Sequence, residues 1–173
     1  MREFPAFAFR VFAYSCAAMP PISFYHLLST SRERAVPKLM EKALASGARV
    51  VVLAGNEAAL KTISDALWTA DPASFLPHGG ARDGHASEQP IYLTLAEENP
   101  NGASILCILD GSSPETMASY AKVLDVFDGT DEAETAAARA RWTRYKQAGY
   151  ALQYVKQQPS GSWKIEMTTE AAA

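Results

Sequence analysis

Apolar and polar positions along this chain follow two different periods, and each change of period marks a new element. Residues 22–28 (ISFYHLL) are a short run rich in aromatic and branched side chains, the composition of a strand. From 31 to 46 the pattern becomes helical. Ala35, Val36, Leu39, Met40, Ala43 and Leu44 recur at three- and four-residue spacing, which puts one apolar stripe on a helix that Gly47 can end. Residues 49–54 (RVVVLA) are almost unbroken in apolar character, as expected of a strand covered on both faces. Asn56 is placed to cap a second helix running to 69, with Ala59, Leu60, Ile63, Ala66 and Leu67 facing inward. Strand, helix, strand, helix is the signature of a parallel α/β layer.

The rest of the chain is less regular. Residues 70–90 contain Pro72, Pro77, Gly79, Gly80, Gly84 and Pro90 and read as a loop. Strands are expected at 91–95 and 105–109. The short turn-rich connection between them (Glu97-Glu98-Asn99-Pro100-Asn101-Gly102) favours an antiparallel hairpin or a close sheet neighbour. Residues 120–127 read as a further strand, preceded by a short helix or turn at 114–119. A helix is expected over 131–148. Asp131, Glu132 and Glu134 sit in its first turn, Arg144 and Lys146 in its last, and Gly149 follows, a polarity that complements the helix dipole. A final strand is expected at 150–156. From Gln157 onward Pro, Ser, Gly and a terminal Ala run predict a flexible tail, with Trp163-Lys164-Ile165 its only sticky patch. The expected organisation is a single α/β domain with a mostly parallel sheet over 19–156 and a tail over 157–173.

Composition agrees with one globular domain: 173 residues, 48% apolar and 20% charged. The two cysteines, Cys16 and Cys107, show no ligand spacing, and Cys107 lies in an apolar run where a thiol acts as a small hydrophobe. A reducing, cytoplasmic compartment fits. Arg2 and Arg10 ahead of a short apolar run resemble a weak signal peptide, but Tyr14 and Ser15 interrupt it. Residues 1–18 are better read as a disordered extension or an upstream mis-start, with Met19 a second candidate start. No stretch approaches the ~20 apolar residues of a membrane-spanning helix.

Catalytic motifs are missing. There is no GxxxxGK[ST], no GxGxxG after a strand and no GxSxG. The segment from His78 to His85 holds two histidines and an aspartate, without regular ligand spacing, and reads as an interface loop in preference to a metal site. Asp110-Gly111-Ser112-Ser113 follows a strand and could hold a phosphate, although a plain strand-to-helix turn accounts for it. His26 reads as a hydrogen-bonded sheet histidine. No cofactor is expected.

Charge changes the picture more than motifs do. Net charge is −3, yet no Asp or Glu occurs between Ala136 and Ile165. That window holds Arg139, Arg141, Arg144, Lys146, Lys156 and Lys164, interleaved with Trp142, Tyr145, Tyr150, Tyr154 and Trp163. Arg139, Trp142 and Lys146 are spaced to share a helix face. Arginine beside tryptophan suits a carboxylate carried next to an apolar side chain, and the same set would suit single-stranded nucleic acid.

Several segments, in order and with similar spacing, resemble one family. They are Phe24-Tyr25-His26-Leu27, Ala66-Leu67-Trp68, Ser74-Phe75-Leu76-Pro77-His78-Gly79, Glu98-Asn99-Pro100-Asn101-Gly102, Val123-Leu124-Asp125-Val126-Phe127-Asp128-Gly129, and Ala137-Ala138-Arg139-Ala140-Arg141-Trp142 through Ala148-Gly149-Tyr150. Together they resemble the chi subunit of bacterial DNA polymerase III over roughly residues 20–156. The resemblance implies a Rossmann-like three-layer fold without nucleotide chemistry and a non-catalytic adaptor. Its implied partners are the psi subunit of the clamp loader and the acidic C-terminal tail of single-stranded DNA-binding protein, with DNA engaged mainly indirectly. Carried over by position, the tail site falls on Phe127, Arg139 and Trp142, with Arg144 and Lys146 as further cations. The family often has a basic residue directly after the helix aromatic, where this chain has Thr143. The psi-facing surface is expected around Trp68, Phe75, Leu76, Pro77 and His78. A small α/β enzyme of nucleotide or phosphate metabolism, using the Asp110–Ser113 and His78–His85 loops, and a direct single-strand binder are the competing readings.

Overall fold

The computed structural model describes residues 19–71 and 75–171. The expectations for residues 1–18, for Cys16 and for Ser74 fall outside them. The described elements are β1 (Ile22–Leu27), α1 (Arg32–Ala45), β2 (Val50–Leu53), α2 (Glu57–Thr69), β3 (His78–Gly80), β4 (Ile91–Thr94), β5 (Ile105–Ile108), β6 (Lys122–Asp128), α3 (Glu132–Gln147), β7 (Leu152–Gln157) and β8 (Trp163–Thr169). The strands form one sheet in the order β3-β4-β2-β5-β6-β1-β7-β8. All pairings are parallel except β7 with β8. This is the expected α/β architecture with a mostly parallel sheet.

Side-chain alternation along β2 shows why its sequence is continuously apolar. Val50 and Val52 join one core with Val36, Met40 and Ile63, under α1 and α2. Val51 and Leu53 join a second core with Phe127, Ala138 and Tyr145, under α3. Both faces of the sheet are therefore covered, the condition parallel sheets require. Cys107 is fully buried, and burial pushes its thiol up to about 12.

Local chemistry sets the helix ends. Asn56 accepts from the Ala59 N–H at 2.9 Å to start α2. Asp131 Oδ1 accepts from Ala133 and Glu134 at 2.7 and 3.1 Å to start α3. Gly149, with φ +89°, follows α3, as αL stop residues do.

Three expectations need correction. The strands at 91–95 and 105–109 are not a hairpin: β4 and β5 run parallel on either side of β2. Their connection crosses the face that carries α3, and Tyr92 and Thr94 hydroxyls donate to Glu98 Oε1 there at 3.0 and 2.7 Å. The 70–90 loop contains a short parallel edge strand, β3, and a 3-10 turn at Ala81–Asp83. At residues 114–119 the expected helix or turn is a turn, where the Glu97 carboxylate accepts from the Glu115 N–H at 2.9 Å. Finally, the 157–173 tail carries β8, which pairs with β7 through a turn at 158–162, where the Gln158 N–H donates to Ser162 O at 2.8 Å.

Candidate functional site

Helix α3 has a weak apolar stripe, and an ion pair helps seat it on the sheet. Arg141 Nε donates to Asp125 Oδ2 at 2.7 Å and Nη2 to Asp125 Oδ1 at 2.8 Å. Asp125 is completely buried on β6 and Arg141 nearly so. Burial pushes the Asp125 carboxyl up, and the Arg141 guanidinium opposes that shift. With Ala138, Arg141 and Tyr145 turned inward, Arg139 and Trp142 come to the flank of the helix. Arg141 thus leaves the basic window as a buried structural residue.

Beside α3 lies a cleft of about 240 Å³. Phe24 of β1 and Phe127 of β6 are buried at its base. The half-buried Trp142 ring meets Phe24 edge-on at 5.2 Å and Tyr154 of β7 edge-on at 6.4 Å. Arg139 borders the cleft, exposed, and its guanidinium makes no ion pair among the described residues. Met167 of β8 also lines it. The combination is an apolar hollow with an uncommitted planar cation at the rim, fit to hold an apolar side chain next to a carboxylate.

His26 ties this hollow together. Its Nδ1 hydrogen-bonds the Tyr154 hydroxyl, and its ring stacks on Phe127 with centroids 4.8 Å apart. It packs so closely on Gly129 that a Cβ there would overlap the imidazole and lie 2.6 Å from Leu27 O. Burial lowers the His26 pKa, and Lys156 and Arg139 add to the effect, while the Gly129 backbone and Asp128 oppose it.

Of the residues expected to form a tail site, the structure brings together Phe127, Arg139 and Trp142. Arg144 and Lys146 do not line the cleft. Arg144 donates to Ser113 Oγ and lies over the Tyr145 ring at 4.8 Å, and Lys146 is exposed in the last turn. Phe24, His26, Tyr154 and Met167 line the cleft and were not assigned to it from the sequence. The alternation of Phe24 and His26 along β1 was the available signal, since residues two apart share a strand face.

A second surface lies at the opposite edge of the sheet. Trp68, at the end of α2, is 58% exposed, and Phe75 is 68% exposed. Their rings are 5.7 Å apart, and the His78 ring lies 5.0 Å from Trp68. His78 is held by Ser64 Oγ at 3.1 Å and by Leu76 O at 2.8 Å. Leu76 is buried in the core under α1 and α2, and Pro77 is half-buried. Core packing does not account for Trp68 or Phe75; Leu76 anchors a segment that displays them.

The positions a phosphate would use are filled by the chain itself. In nucleotide-binding α/β folds the turn after the first strand offers its N–H groups to phosphate. Here Gln157 Oε1 accepts from the Leu28, Ser29 and Thr30 N–H groups at 3.1, 2.9 and 3.1 Å. The Asp110 carboxylate is engaged by Arg32, which also pairs with Glu134. Gly55 lies so close to Asp110 that a Cβ there would meet Asp110 O at 3.1 Å. His85 is exposed, 3.8 Å from Glu88, and is not gathered with His78. Among the described residues no three His, Cys, Asp or Glu side chains converge as metal ligands, and no helix is long and apolar enough to cross a membrane.

A family model described as "DNA polymerase III chi subunit, HolC" matches residues 19–153. A Rickettsia prowazekii protein named "Probable DNA polymerase III subunit chi" is 33% identical over 105 residues, 61% of this chain and 62% of that protein. This chain therefore spans less than two thirds of that relative's length. Proteins named "DNA polymerase III subunit chi" from Haemophilus influenzae and Escherichia coli are 28% and 26% identical, covering 62% and 69% of this chain and 74% and 82% of their own lengths. The chain belongs to the DNA polymerase III chi subunit family.

Proposed function

We propose that this member of the chi family is a non-catalytic adaptor of the DNA polymerase III assembly with two protein-binding surfaces. The α3 cleft takes the acidic C-terminal tail of single-stranded DNA-binding protein. The Trp68–Phe75–His78 surface takes the psi subunit, and through it the clamp loader. DNA is reached mainly through these partners, in the cytoplasm, and the protein needs neither cofactor nor metal of its own.

One observation carries the tail assignment: an apolar hollow floored by Phe127 and walled by Trp142 has the free guanidinium of Arg139 at its edge. A tail side chain would bury against the rings while its neighbouring carboxylate pairs with Arg139. Binding of this kind is modest, because a disordered tail loses entropy on ordering, and it weakens with salt because the charge lies at the rim. Direct capture of a nucleic acid strand is less well supported, because Arg141 is buried on Asp125 and unavailable to phosphates.

The test is binding of a labelled acidic peptide, copied from the C-terminus of the host's single-stranded DNA-binding protein, at two salt concentrations. Salt-sensitive binding that Arg139→Ala weakens by about 1–3 kcal/mol is expected for a site centred on this cleft. Absence of binding at low salt, or full affinity in Arg139→Ala, would overturn the assignment.

A further inference from the structure

The tail cleft has a lining residue on a strand that the family match does not reach: β8, Trp163–Thr169, lies beyond the matched residues 19–153. Most of β8 is exposed, so its burial explains little of its presence. Its two inward contributions face opposite sides of the sheet. Trp163 packs edge-on against Tyr25 at 5.1 Å, on the face of α1, and Met167 reaches the cleft, on the face of α3.

In a regular strand, residues four apart point the same way. Here the register slips. Val155 pairs with Ile165 and Tyr154 with Met167, so Glu166 is an extra residue opposite the Tyr154–Val155 step. A bulge of this kind re-aims the side chains beyond it. This one turns Met167 from the α1 face to the α3 face, beside Tyr154 and within the same hollow as Arg139 and Trp142. The bulged residue adds a carboxylate near an acidic ligand's site, and Lys164 Nζ holds it at 3.2 Å, which offsets its repulsion. Methionine is unbranched and polarizable and adapts to an incoming side chain.

We infer that Met167, delivered by the Glu166 bulge of β8, is a specificity-determining residue of the acidic-tail site. The inference rests on the tail assignment made above. Met167 sits over half exposed, so replacing it disturbs no packed core.

The experiment measures affinity of the same acidic peptide for Met167→Glu and Met167→Lys, with Arg139→Ala alongside. A carboxylate at 167 would face the ligand's charge and should weaken binding by about tenfold or more at low salt, whereas a lysine should bind at least as tightly as methionine. A purely structural role would lower affinity alike in both variants, and that result overturns the inference. So does wild-type affinity in both variants while Arg139→Ala is weak, which leaves the cleft standing without Met167. If Arg139→Ala binds normally, the tail assignment itself fails, and the inference with it.

Discussion

The two exposed aromatic surfaces of this protein are built in opposite ways. At the α3 cleft the aromatic rings are recessed: Phe24 and Phe127 are buried, Trp142 is half-buried, and a free arginine stands at the rim. At the β3 edge the rings stand out: Trp68 and Phe75 are mostly exposed, and a buried Leu76 holds them there. A recessed, charged hollow selects a single protruding side chain with its carboxylate. A projecting surface of exposed rings is suited to be covered by a broad apolar face of a folded partner. With five strands from β4 to β1 between β3 and β7 in the sheet order, at ~4.8 Å per strand, the two surfaces are roughly 25–30 Å apart. The spacing leaves room for both to be covered at once.

The largest expected effect breaks one surface at its foundation. Asp125→Ala leaves Arg141 buried without its partner, and such losses cost about 3–5 kcal/mol. Urea denaturation should show that destabilisation. A loss under 1 kcal/mol would mean that α3 is not held by this pair.

Next comes Gly129→Ala. The added Cβ must displace His26, so a loss of about 1–3 kcal/mol is expected, with weaker acidic-peptide binding because the Tyr154–His26–Phe127 arrangement shifts. Unchanged stability in this variant would show that the imidazole can move freely and does not shape the cleft.

At the other surface, Trp68→Ala and Phe75→Ala should change stability by no more than about 0.5 kcal/mol, since neither ring is in a core. They should abolish capture of psi while leaving acidic-peptide affinity intact, and Trp142→Ala should do the reverse. Cross-effects in both directions would collapse the comparison into one continuous interface.

The smallest effect is a pH dependence. Burial and the nearby Lys156 lower the His26 pKa in the folded state, so the unfolded chain binds the proton more readily. By linkage, stability is full above the ordinary histidine range near ~6.5 and declines as pH falls through it toward the lower folded-state value. Thermal denaturation between pH 7.5 and 5.5 should show a slope that His26→Leu reduces. A slope unchanged in that variant would assign it to other groups.

Much of the fold was legible from apolar patterning and end charges. The helices at 31–46 and 56–69 correspond to α1 and α2 because each shows its period over enough residues, while β2 was marked by an unbroken apolar run and α3 by the charge polarity of its two ends. Topology was less legible. The connection from β4 to β5 is short enough for a hairpin, and only long-range packing on β2 makes it a parallel crossover. β8 was hidden although Trp163-Lys164-Ile165-Glu166-Met167 alternates, because the Pro, Ser and Gly just before it read as the onset of a tail and instead form a turn.

The site was legible in part for similar reasons. Charge bias and spacing pointed to Arg139 and Trp142, and the family resemblance added Phe127. The bias could not separate Arg141, which is buried, from its exposed neighbours, since that depends on Asp125 lying beneath it on β6. Nor could it show that Arg144 turns to Ser113 and Tyr145. The resemblance grouped Leu76 with Trp68 and Phe75 on one surface, whereas Leu76 takes the inward position and leaves the two rings exposed.

The chain's tryptophans provide the most direct test of the central claim, because Trp68 marks the projecting surface, Trp142 the cleft, and Trp163 the opposite face of β8. Their indole N–H resonances can be followed in a ¹H–¹⁵N NMR titration with the acidic peptide. The account predicts a saturable shift of the Trp142 signal that Arg139→Ala weakens, with the Trp68 signal unmoved. A shift at Trp68, or an unmoved Trp142 at saturating peptide, would contradict it.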